Sequence, residues 1–114
     1  MISVRTITDA LLPILPDKVF HFNANKEPYP YIVWAEENIG IPLMANDIHS
    51  ERSVMGSVRY YTQTEYDEMV DTIQSALDDA GVSNALTQIS FNPETDCIEY
   101  LWDWSVPCGN GKIY

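Results

Sequence analysis

Between Arg59 and Lys112 this 114-residue chain has neither lysine nor arginine, while Glu65, Asp67, Glu68, Asp71, Asp78, Asp79, Glu94, Asp96, Glu99 and Asp103 all fall within that span. A surface made from such a segment repels phosphate, which excludes nucleic-acid binding through an ordinary basic patch. Six bases against 17 acids give a net charge of −11, and acidity on this scale also serves plain solubility. Cysteine is scarce. If the alternating segment from Cys97 to Cys108 is one strand, the two thiols lie roughly 30 Å apart, far beyond the about 7 Å that a disulfide tolerates. Two free thiols in a reducing compartment are expected.

Other absences narrow the field further. His21 and His49 each lack a second ligand at metal-like spacing, and His21, alternating with Phe20 and Phe22, reads as an ordinary strand residue. No apolar run approaches the ~18 residues that span a bilayer. The opening "MISVRTITDALLPILPDK" has neither an h-region nor a small-residue cleavage site, so we expect a cytoplasmic protein without a membrane segment. GxGxxG, Walker and HExxH patterns are missing, and "CGNGK" has neither the length nor the Ser/Thr of a phosphate loop. No cofactor or metal is expected.

What is present belongs to a folded chain. With 46% hydrophobic and 20% charged residues, the composition is globular, and the length suits one domain spanning residues 1–114. In "TEYDEMVDTIQSALDDAG", Tyr66, Met69, Val70, Ile73, Ala76, Leu77 and Ala80 occupy an arc of about 120° at helical spacing, which predicts an amphipathic helix over about 65–80. Thr64 is placed as its N-cap, Asp67 as its third helical residue and Gly81 as its left-handed stop. Asp78 and Asp79 sit at the unfavourable end of the helix dipole, so the acidity of this face is not explained by helix stability alone. An N-terminal helix carries Val4, Ile7, Leu11 and Leu12 with Ser3 as cap, and stops near Leu12 or Leu15, before or between Pro13 and Pro16.

The remaining segments read as strands. "KVFHF" is short. "SVMGSVRYYTQ" places Val54, Val58 and Tyr60 on one face and Met55, Arg59 and Tyr61 on the other, with Gly56 marking a bulge or a close approach. "LTQISF" and "CIEYLWDWSV" are joined by the turn "NPETD". In the last strand Ile98, Tyr100, Trp102 and Trp104 face a core, and Glu99, Leu101 and Asp103 face water. "PYPYIVWAEE" can be a polyproline II ligand or the stiffened start of a strand; its β-formers favour a strand from about Tyr31 to Glu36. Residues 37–52 then form a long connection, unless part of it is strand, and its apolar Ile39, Ile41, Leu43, Met44 and Ile48 call for a partner. The fold class expected is α+β: one domain with a mixed, mostly antiparallel sheet packed against two helices.

Catalysis finds little footing. Cys97 paired with a histidine is the nearest approach to a nucleophile and base, but a thiol more often serves as a small buried hydrophobe. Glu99 and Asp103 lie on one strand face roughly 13 Å apart along the backbone, wider than the about 5–9.5 Å separations of glycosidase carboxyls.

Taken in order, these parts resemble a known family. A Leu-rich helix ending "ALLPILPDKVF", the strand opened by "PYPYIVW", a long connection, the strand "GSVRYYTQ", the capped helix that follows and a final hairpin ending "EYLWDWSV" together resemble the tail-completion or tail-terminator proteins of long-tailed bacteriophages. The resemblance covers nearly the whole chain. It implies a structural virion protein of the tail or neck, assembled in the host cytoplasm as a ring, usually a hexamer, which ends tail-tube growth and joins the tail to the head connector. It implies no catalytic step. Its partners would be further copies of the chain, the tail-tube protein and the head-tail connector protein.

On this reading Tyr29, Tyr31, Ile39, Ile41, Leu43, Met44 and Ile48 are the expected subunit or tail contacts, within a surface running from Glu37 to Arg52. Glu36, Glu37, Asp47 and Glu51 are the expected acids of a channel that genomic DNA passes without being bound. The competing reading is a small acidic DNA mimic that inhibits a nucleic-acid-binding protein. A third, an enzyme using Cys97 or Cys108, would be silenced by thiol alkylation.

Overall fold

A computed structural model describes residues 2–40, 52–108 and 114. The elements are α1 (Val4–Leu11), β1 (Val19–His21), β2 (Tyr31–Gly40), β3 (Arg52–Thr62), α2 (Met69–Asp79), β4 (Ser83–Asn92) and β5 (Cys97–Cys108). Among the described residues, five strands form one sheet in the order β1-β2-β3-β5-β4. In it β1 and β2 run parallel and the other pairs are antiparallel. This is a single α+β domain with a mixed sheet and two helices, the class its sequence pattern predicts.

Strand alternation builds the core. Val4, Ile7 and Leu11 of α1 and Ile73 and Leu77 of α2 pack on one sheet face, against Ile32, Trp34, Val54, Val58, Tyr60, Trp102, Trp104 and Val106. All of these are 5% exposed or less, and an apolar side chain buried so completely contributes about 1.5–3 kcal/mol. The predicted faces of β3 and β5 are the faces observed. Cys97 and Cys108 are the first and last residues of β5, so the strand itself holds them apart.

Several local expectations need correction. Helix α2 begins at Met69, not after Thr64. Asp67 takes the capping role from outside the helix: its Oδ1 accepts the Met69 N–H at 2.9 Å. Tyr66, expected on the buried face, instead has φ +55 and is 93% exposed. Gly81 does end α2 with φ +79. Strand β2 continues past Glu36 to Gly40, because a bulge at Glu37 lets the chain keep its pairing with β3. The connection expected over 37–52 is therefore strand as far as Gly40 and again at Arg52. Gly56 sits opposite the bulge, where a Cβ would lie 1.9 Å from the Ala35 carbonyl oxygen and 2.5 Å from Trp104 Cζ2. Close approach is thus the reason for this glycine.

Candidate interaction surface

The sheet face without helices carries two features, one polar and one aromatic. Arg59 lies near the middle of β3, within 3.8 Å of a Glu37 oxygen and 3.9 Å of a Glu99 oxygen, and its Nη1 donates to Ser57 Oγ at 3.2 Å. About a third of each side chain is exposed, so these pairs are solvent-screened and individually weak. Asp103, paired with Ser57 in register, extends the acidic rim.

Toward one end of that face stands a tyrosine ladder. Tyr29 stacks on Tyr31 with ring centroids 5.6 Å apart, and Tyr31 stacks on Tyr61 at 4.8 Å; Phe20 meets Tyr31 edge-on at 6.4 Å. The ladder walls a cleft of about 230 Å³ that also includes Phe91, Cys97 and Glu99. Burial, then the Glu99 carboxylate, pushes the Tyr61 phenol well above its ordinary value. Burial likewise pushes the Cys97 thiol up. That thiol stays protonated at neutral pH, which is the wrong state for a nucleophile.

On the helix-bearing face, the described residues cover β4 incompletely. Helix α2 reaches it at Asn84, whose Oδ1 accepts from Gln74 Nε2 at 2.7 Å, while Gln74 Oε1 accepts the Trp102 indole N–H at 2.9 Å. Beyond that clip, Leu86, Ile89 and Phe91 are 38, 62 and 57% exposed. They share a face because β4 has a bulge between Leu86 and Gln88, which pairs Leu86 with Trp102 and Ile89 with Tyr100. With Glu65, Tyr66, Ile98 and Tyr100, the residues Ile89 and Phe91 line a groove of about 380 Å³. A contiguous apolar patch beside a fully exposed tyrosine marks a contact surface more strongly than any scattered residue does. Strict alternation puts Leu86 on the face opposite Ile89 and Phe91, so sequence reasoning missed this patch. The uncharged run from Ser83 to Asn92 was the available signal.

The expected contact residues are spread along β2. Tyr31 and Gly40 begin and end the same ten-residue strand, which puts them roughly 30 Å apart. Tyr29 and Tyr31 therefore stand at the opposite end of that strand from Ile39, which is 46% exposed. Ile41, Leu43, Met44, Asp47, Ile48 and Glu51 lie outside the described residues.

The two adjacent acids also part company. Glu37, at the bulge, faces Arg59 on the open side. Glu36 turns to the helix side, where His21 Nε2 and the Tyr114 hydroxyl engage its two carboxylate oxygens and its side chain is 11% exposed. Burial pushes the Glu36 carboxyl up, but the hydrogen bonds from His21 and Tyr114 outweigh it and hold the carboxyl below its ordinary value. His21 itself is held between Trp34, at 3.9 Å, and Phe22, at 4.0 Å.

Among the described residues no group of three His, Cys, Asp or Glu side chains could hold a metal ion, and no helix is long and apolar enough to cross a membrane. What the surface offers is an apolar strand side, a tyrosine-walled cleft and an acidic open face. Compared with known proteins, the chain matches no family model and no curated protein sequence.

Proposed function

We propose that this chain is a ring-forming tail-completion protein of a long-tailed bacteriophage, acting in the neck of the virion between the tail tube and the head connector. The observation that carries the reading is the apolar side of β4, which the described residues leave uncovered in a strongly acidic chain. Water leaves such a patch unsatisfied, and copies of the same chain are the partner a ring supplies. On the open face Glu99 and Asp103 join Glu37 as candidates for the channel wall, while Glu36 is engaged by His21 and Tyr114 on the helix side. Like charge on wall and DNA prevents sticking, which a conduit needs and a binder does not. The activity is assembly, with no bond made or broken.

The test is light scattering and negative-stain microscopy of the purified protein, alone and mixed with purified tail tubes. Rings that cap tube ends are expected. A strict monomer that ignores tubes would overturn the reading. If that monomer instead competes with duplex DNA for a basic protein, the acidic mimic replaces it.

A further inference from the structure

Resting on the ring reading above, we infer that the β4 side of one subunit receives the β1 side of the next. Strands β1 and β4 are the two edges of the sheet, so these surfaces point in opposite directions. That is the geometry of a heterologous, head-to-tail contact.

Three observations choose the occupant. The first is the edge itself. Strand β4 offers ten residues without a charge or a proline, lacking two of the devices that usually keep an edge strand from pairing. The second is apolar matching. Against the exposed Tyr66, Ile89 and Phe91 of the β4 side, the β1 side exposes Phe22 (61%), where the chain leaves β1, and Leu12 (44%), at the end of α1. The third is charge. The β4 side is flanked by segments with acids and no base from Tyr60 to Gly111, whereas α1, the approach to β1 and the loop that leaves it balance Arg5, Lys18 and Lys26 against Asp9, Asp17 and Glu27, with Lys18 within 3.5 Å of Glu27. Two β4 sides brought together by a twofold axis would set these acids against each other. A β4 side meeting a β1 side sets them against a part of the chain without net charge.

The experiment uses two variants of the full chain, Phe91→Asp, which spoils the β4 side, and Phe22→Asp, which spoils the β1 side. Both side chains are largely exposed, and circular dichroism and thermal melting confirm that each variant folds. Each alone is expected to self-associate at least roughly 30-fold more weakly than the unaltered chain, as for loss of an interface hot spot. Mixed in equal amounts, they retain one good pair of surfaces between them. Native mass spectrometry is therefore expected to show a one-to-one heterodimer and nothing larger.

If Phe91→Asp blocks assembly while Phe22→Asp does not, the contact is twofold and the inference fails. If both variants still form rings, another surface is used; the inference fails and the ring reading stands. Assembly of the unaltered chain through these surfaces without any binding to tail tubes would overturn the proposed function and leave the contact intact. An unaltered chain that never associates overturns both.

Discussion

Asp67 accepts three hydrogen bonds: from Tyr60 Oη at 2.7 Å and Thr62 Oγ1 at 2.8 Å, both on Oδ2, and from the Met69 N–H on Oδ1. It ties the end of β3 to the start of α2. Burial raises its pKa, but the bonds from Tyr60, Met69 and Thr62 outweigh burial and hold it below the ordinary carboxylate value. A depressed folded pKa stabilises the fold fully above the unfolded value, near about 3.9. That stabilisation is lost as pH falls through the lowered folded value. Asp67→Asn is therefore expected to cost about 1–2 kcal/mol near neutrality. The gap from the unaltered chain should narrow in acid, as urea titrations at two pH values would measure. Gly56 is the other single residue on which the fold turns. Gly56→Ala drives a methyl into the Ala35 carbonyl and the Trp104 ring, and a loss of about 3 kcal/mol or more is expected in the same assay. A variant as stable as the original would refute the close approach.

Among the elements, α2 and β4 are joined by a polar clip in which Gln74 accepts from the Trp102 indole and donates to Asn84. Trp102 is fully buried, so Gln74→Leu leaves its N–H without a partner, at a cost of about 1–3 kcal/mol. Thermal melting should register that loss, while assembly through the proposed contact, at the opposite part of β4, should be unchanged in the folded protein. Much of this level was legible beforehand. The 3.6-residue period of α2 and the two-residue period of β3 and β5 identified the core residues, because burial on one face imposes those periods. The failures occurred where a period is interrupted. The bulge at Glu37 extended β2 by four residues, the bulge near Thr87 moved Leu86 beside Ile89 and Phe91, and the left-handed Tyr66 delayed α2 to Met69. Each inserts a residue or reverses the chain locally, and pattern reading assumes neither.

For the whole molecule, charge asymmetry is the governing property. Every copy carries −11, so copies repel one another over a range of about 8 Å at physiological ionic strength, least where the β1 side, without net charge, is presented. Raising salt screens that repulsion and is therefore expected to speed ring formation and to strengthen it; sedimentation velocity across a salt series would detect the trend. Association that weakens steadily with salt would mean that opposite charges, and not burial, hold the contact. The chain is also expected to leave duplex DNA unretarded on a gel even at low salt, because the open face presents more acid than base.

Composition and periodicity determined the fold class, the core faces of three elements, the acidity and the separation of the two cysteines, since each follows from residue type and short-range spacing. Tertiary structure alone decided that Tyr31 and Ile39 stand at opposite ends of one strand, that Glu36 and Glu37 face opposite ways, and that β4 is an edge with an apolar side left open. Which strand lies at an edge depends on pairings between distant segments, and no local pattern in a chain records what its far parts will leave uncovered.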